Sequence, residues 1–353
     1  MTADSGETTG TTSLAKRRAI GIAAWVAGFV LYSFALGLPT TDPVLAFLWL
    51  WALTYAWNSH YPVRRHLRFL RDWLPMILLL QVYNVSRGFA DDGFTPHAAE
   101  LIGFDTWMFG GHVPTVWLQA HLYDPAHVHW WDVLVSVVYF SHFVAALIVA
   151  VLLWLRDRPE WGRFIRRWFF LMFFGLLTYF LYPAAPPWWA AKYGMIEPIA
   201  RISTRGWDLI GLHGAGNMLN QAQIGLSNPV AAMPSLHTAF ALLVVAFFFP
   251  KVRKTWIPVL VLYPLAMTFT LVYSGEHWII DVLVGWVYVA ITFVVVGYAE
   301  KWWARRKARR AAAKTETEPA SAVEGDGDAE VSPERDGSPV SAGPDPAPVA
   351  PPH

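Results

Sequence analysis

Apolar residues recur along this chain in runs long enough to cross a lipid bilayer, and that repetition narrows the fold more than any other feature. The runs lie at 19–38, 43–57, 73–90, 131–155, 164–182, 235–250, 256–273 and 278–299. A helix of roughly 20 apolar residues spans the hydrocarbon core, so the runs at 43–57 and 235–250 are short. Composition sets the class. Of 353 residues, 55% are hydrophobic and 15% charged, with 20 Trp, 22 Phe and 13 Tyr. One soluble core cannot hide that much apolar surface. The expected fold is all-α, a polytopic membrane helical bundle of about eight transmembrane helices.

Charge supplies a separate argument, because cytoplasmic loops collect Lys and Arg. With eight spans and both termini inside, all but four of the 27 basic residues fall in cytoplasmic segments. The exceptions are Arg87, Lys192, Arg201 and Arg205. Removing one span would invert every later segment and destroy the segregation. The expected divisions are a disordered cytoplasmic leader (1–18), two N-terminal transmembrane helices (19–72), a membrane-embedded catalytic domain (73–300) and a basic anchor with a disordered cytoplasmic tail (301–353). Lys16, Arg17 and Arg18 resemble the start of a signal peptide, but the run behind them is long enough to span and lacks a clear cleavage site, so it reads as an uncleaved first helix. The tail beyond about 311 is too polar and Pro-rich to offset the entropy of ordering. Lys301–Arg310, with Trp302 and Trp303, has the composition of an interfacial anchor.

A net charge of +1 gives no reason to expect a nucleic-acid partner. The absence of cysteine excludes disulfides, thiolate metal sites and Cys nucleophiles. Two outer segments, about 91–130 and 183–234, are too long for simple connectors, and such loops are where sites tend to sit. Thr95–Met108 is expected to form a helix on the outer surface, and Gly103–Asp105 with Gly110–His112 to shape a lid.

The chemistry concentrates in two short stretches that the topology, derived without them, puts on the same side. Met233–His237 reads Met-Pro-Ser-Leu-His, and Ser274–Asp281 reads Ser-Gly-Glu-His-Trp-Ile-Ile-Asp. His277 and Asp281 are four apart, so on a helix they share a face and the carboxylate can orient the imidazole. An oriented His is a nucleophile. His237, near a helix start, can protonate a leaving alkoxide, while Ser235 and free N–H groups there can hold phosphate oxygens. His127 and His129 fall short of the three or four ligands a zinc site needs, so no metal and no cofactor is expected.

Pro-Ser-x-His followed by His-x-x-x-Asp resembles the type 2 phosphatidic acid phosphatase superfamily. Pro-Ser-Leu-His, together with Tyr182–Trp189 and Lys192-Tyr193-Gly194, is most similar to its inositol phosphorylceramide synthase branch, the inositolphosphotransferases. The resemblance covers about residues 70–300 and implies a six-helix phosphatase-like core. It also implies that His277 attacks phosphorus to form a phosphohistidine, that Asp281 orients it, and that His237 acts as acid. The superfamily's Lys-x6-Arg-Pro motif is missing, and Leu271 stands where an Arg is usual, so other cations must grip the phosphate. Arg87 is the first choice, with Lys192, Arg201 and Arg205 behind it. The expected partners are the lipid bilayer and a membrane phospholipid or polyprenyl phosphate substrate, handled outside the cell membrane. Transfer of a phospho-headgroup, such as phosphoinositol, to a lipid alcohol is the leading expectation. Hydrolysis of a lipid phosphate or polyprenyl diphosphate, and a non-enzymatic transporter or scaffold, stand as alternatives.

Overall fold

The computed structural model describes residues 6–36, 43–90, 95–211 and 231–317, and their regular elements are helices, with no strand among them. The helices are α1 (Gly6–Leu36), α2 (Pro43–Trp57), α3 (Val63–Ala90), α4 (Ala99–Met108), α5 (Pro114–Leu122), α6 (Trp130–Arg156), α7 (Arg158–Leu181), α8 (Pro187–Lys192), α9 (Leu236–Phe248), α10 (Ile257–Tyr273) and α11 (Ile279–Thr317). The chain is an all-α, multi-pass membrane protein. Among the described residues, five helices are long and apolar enough to cross a bilayer: Ser13–Leu36, α6, α7, Lys254–Tyr273 and α11 as far as Ala313. The other three expected runs are helical too, as α2, α3 and α9. Of these, α2 and α9 are shorter, and α3 carries charge along its first turns.

Several boundaries differ from expectation for identifiable reasons. The leader expected to be disordered is helical from Gly6, since extending a formed helix adds one hydrogen bond per residue fixed. At the other end Ala311–Ala313 carry α11 past the expected limit, alanine being the strongest helix former. The division drawn between residues 72 and 73 falls inside α3, which starts at Val63 and runs through Pro75. Helix α7 begins at Arg158 because Asp157 caps it, its carboxylate accepting from Glu160 N at 3.0 Å, with Pro159 in the first turn. Residues 95–98 are not helical: His97 N donates to Pro183 O (2.8 Å) and Ala185 N to His97 O (2.9 Å), so α4 starts only at Ala99.

The chain divides into two compact units, Met1–Ala299 and Glu300–His353. In the second, Trp302 and Trp303 meet edge to face at 4.8 Å, with Arg306 over both rings. In the first, α1 to α3 join in series. Gly21 lets α1 approach Ala56 of α2, where a Cβ would lie 2.8 Å from a carbonyl oxygen. Phe47 of α2 stacks on Phe69 of α3, and α3 packs on α7. Phe69, Phe164, Leu171 and Leu243 form the core between α3, α7 and α9. The outward faces of α6, α7, α10 and α11 stay apolar, exposing Phe143, Phe180, Leu262 and Val294 as lipid-facing helices do.

One group of ion pairs ties helix ends together. Asp72 pairs with Arg71 and Arg158, and Glu160 with Arg163 and Lys251, which joins three basic segments that the expected topology puts on one side. The long loops knit together elsewhere. Gln119 donates to Ala200 O and Tyr273 O and accepts from Ala200 N, all at 2.8 Å. Gly206 sits where a Cβ would meet Asp132 O at 2.1 Å, and its N donates to Ser136 Oγ (2.9 Å), locking the 183–211 loop onto α6.

Candidate active site

Helix α10 stops because Gly275 takes φ +74°, a left-handed position that a side chain strains. Glu276 N and His277 N both turn back to Leu271 O, at 2.9 and 3.3 Å. His277 therefore lies in the turn before α11, not on a helix face as the four-residue spacing suggests. Asp281, in the first turn of α11, reaches back instead: Oδ2 accepts from Trp278 N (2.9 Å) and lies 3.3 Å from His277 Nδ1. The carboxylate caps its own helix and orients the imidazole in one contact. Trp278 is fully buried and donates through Nε1 to Ala185 O at 2.7 Å, tying this turn to the Pro-rich segment.

Helix α9 supplies the opposite wall. Ser235 is its N-cap residue, and Ser235 N donates to Asp281 O at 2.9 Å. Gly285 allows that approach, since a Cβ there would lie 2.6 Å from Ser235 O. Tyr179 OH donates to Pro234 O at 2.8 Å and fixes the entry to the helix. One residue into α9, His237 places Nδ1 3.1 Å from His277 Nε2. With the His277 Nδ1 proton directed at Asp281, Nε2 keeps its lone pair, and His237 Nδ1 supplies the proton between the rings. The result is a file of Asp281, His277 and His237. His277 and Asp281 are 4% and 0% exposed, so that end of the file is shielded from bulk water, while His237 is half-buried. Among the described residues, Ser235 Oγ, Asp281 Oδ1 and His142 Nδ1 are buried polar atoms in or beside it with no hydrogen-bond partner.

The four basic residues expected on the outer side separate by environment. Arg201 forms a fork with Glu276, Nε to Oε1 and Nη2 to Oε2 both at 2.8 Å, next in sequence to His277. Ser203 adds a bond to Glu276 at 3.0 Å, and the guanidinium lies 4.7 Å over Trp188. Burial alone would lower the Arg201 pKa, but the Glu276 carboxylate outweighs it and moves it up. Its charge is close enough to act on His237. Arg205 instead holds the loop carbonyls of Asp124 and His127 and lies over Tyr123. Lys192 is exposed at the end of α8. The side chain of Arg87 lies outside the described residues.

Tyr139 and His142, which sequence reasoning passed over, surround the file together with Glu276 and Asp105, which it named only within a motif and a lid. Tyr139 and His142 of α6 both contact the His237 ring, at centroid separations of 5.5 and 4.0 Å. Glu276 anchors Arg201. Asp105, 1% exposed on α4, accepts from Ile279 N (2.8 Å) and Ile280 N (3.1 Å), capping α11 from another part of the chain. Burial pushes the Asp105 carboxyl up to about 6, although those two amides pull the other way. The one advance signal was His142, an ionisable residue inside an apolar run. The other loop histidines at 97, 121, 127 and 129 make contacts of their own: His97 stacks on Tyr182, His121 on Trp117 and His129 on Trp131, while His127 meets Asp124.

Comparison with known proteins gives one family match, the PAP2 superfamily, over residues 99–295. Two curated relatives are similar. A phosphoinositol dihydroceramide synthase of Bacteroides thetaiotaomicron is 32% identical over 170 residues, 45% of this chain and 54% of that protein. An inositol phosphorylceramide synthase catalytic subunit of Saccharomyces cerevisiae is 24% identical over 249 residues, 66% of this chain and 57% of that protein. The chain thus spans little more than half the length of either. No solved structure gives a significant match.

Proposed function

The chain belongs to the PAP2 superfamily, and from that premise we propose that it is a membrane-embedded lipid phosphotransferase working through a phosphohistidine at His277. The single observation that carries this is the file of Asp281, His277 and His237, with successive contacts of 3.3 and 3.1 Å. In the first half-reaction a phosphodiester lipid displaces the contact between the rings. His277 Nε2 attacks phosphorus, the bond from phosphorus to the lipid alcohol oxygen breaks, and His237 gives its proton to that oxygen. Asp281 stabilises the positive charge that grows on His277. In the second half-reaction His237 takes the proton of an incoming lipid alcohol, whose oxygen attacks phosphorus as the N–P bond breaks.

Phosphoryl oxygens are held by the unpartnered Ser235 Oγ at the start of α9 and by Arg201, whose fork with Glu276 leaves further N–H groups for a ligand. Arg201 replaces Arg87 as the preferred cation, because it lies beside the histidines and is steadied by Glu276 and Trp188. Lys192 and Arg205 have other surroundings. Transfer is favoured over hydrolysis by the near-complete burial of His277 and Asp281, which excludes water. Phosphoinositol is the proposed headgroup and a ceramide-type alcohol the proposed acceptor, on the names of the two relatives.

The site is proposed to face the outer leaflet, with both termini inside the cell membrane and eight helices crossing it. His142, against His237, lies fourteen residues from Arg156, about 21 Å along a helix of 1.5 Å rise. In a hydrocarbon core of about 30 Å this is the half away from the clustered basic residues. Purified protein given inositol-labelled phosphatidylinositol and a ceramide should yield a new labelled lipid. Release of water-soluble inositol phosphate with no lipid product would overturn transfer in favour of hydrolysis.

A further inference from the structure

Helix α6 presents two rings to His237, and one of them carries a polar atom with no hydrogen-bond partner among the described residues. His142 packs on His237 with centroids 4.0 Å apart and planes 35° apart. Its other neighbours hold it firmly: Phe240 stacks on it at 5.3 Å and 9°, and Phe143 meets its edge at 5.1 Å. The ring also makes a hydrogen bond to the backbone of His237. His142 Nδ1 is buried without a hydrogen-bond partner. A buried nitrogen left so costs free energy until a ligand meets it, and a hydrophobic residue of similar shape would avoid that cost. Phenylalanine would fill the stack as well.

Resting on the transfer mechanism above, we infer that His142 is a third site histidine, whose Nδ1 holds the lipid alcohol oxygen that leaves in the first half-reaction and enters in the second. In both steps that oxygen must lie beside His237, because His237 gives it a proton and later takes one back. His142 and Tyr139 are the α6 residues whose rings reach His237, and the unpaired nitrogen belongs to His142. It transfers no proton itself: the proton travels between the oxygen and His237, while His142 fixes the oxygen's position through one hydrogen bond. A water molecule can also bond to His142, but it lacks the lipid body that would keep it there. Loss of His142 therefore weakens preference for the alcohol as well as rate.

Two substitutions separate this from simple packing. His142→Phe keeps the aromatic stack and removes the polar atom; His142→Asn keeps a polar atom and removes the stack. Both are assayed with labelled phosphatidylinositol and a lipid alcohol, beside wild type and His277→Ala. The expected result is a loss of transfer of about tenfold or more in His142→Phe, a smaller loss in His142→Asn, and a rise in the KM for the alcohol in His142→Phe. Equal activity in His142→Phe and wild type, or losses in His142→Asn that equal or exceed those in His142→Phe, would overturn the inference. Wild-type protein with no phosphotransfer, or His277→Ala with full activity, would overturn the mechanism beneath it.

Discussion

Glu276→Gln removes one charge from a buried fork while leaving its shape, and the structure sets the size of the effect. The Glu276 side chain is 6% exposed and that of Arg201 20%. Three hydrogen bonds converge on the carboxylate, two from Arg201 and one from Ser203. Breaking a buried ion pair by removing one partner costs about 3–5 kcal/mol, most of it from the charge left behind. Because Arg201 keeps some contact with solvent, the low end applies, about 3 kcal/mol. Removing both partners leaves no stranded charge, so a double variant with Arg201→Met should be less destabilised than the two single variants together, with about 2 kcal/mol of coupling. Unfolding in mixed detergent micelles, followed by tryptophan fluorescence, measures all three. A Glu276→Gln loss under about 1 kcal/mol with additive single effects would refute the reasoning, since Arg201 would then be solvated well enough not to need its partner.

Asp105→Asn probes the cap on α11. The folded carboxyl titrates at about 6 against 3.8 for an ordinary aspartate, so the folded state binds the proton more tightly. Its contribution to stability is fully present below 3.8 and is lost as the pH rises through about 6, a change of about 3 kcal/mol. The Asn variant should lose that slope when melting temperature is followed from pH 4 to 7, and an unchanged slope would count against it. Gly285→Ala places a methyl group 2.6 Å from Ser235 O. It should part α9 from α11, cost about 1–3 kcal/mol by overpacking and lower activity more than tenfold. Unaltered turnover would mean that the two helix starts need not touch.

How far the sequence disclosed this molecule depended on whether a residue's partner was near in the chain. Apolar runs announced the long helices, and the sorting of Lys and Arg brought together the segments that meet through Asp72, Arg158, Glu160 and Lys251. His237, His277 and Asp281 stood out because each lies in a short motif. The spacing of His277 and Asp281 gave their contact correctly, though its cause is a helix cap and not a shared face. Asp105 was illegible as a cap, because its amide partners lie 174 and 175 residues further on. Arg201 and Glu276, 75 residues apart, looked like isolated loop charges until the fold closed them. His142 was legible as an ionisable residue inside an apolar run, but hydropathy averages away one polar side chain and its partner His237 lies far along the chain.

The central claim is that His277 Nε2 becomes covalently bonded to phosphorus. Purified protein mixed with labelled phosphatidylinositol without acceptor, quenched in alkali and digested, should carry the phosphorylated headgroup on the peptide containing His277, and that label should pass to lipid when the alcohol is added. Turnover with no adduct at His277, or an adduct on another residue, would contradict the account.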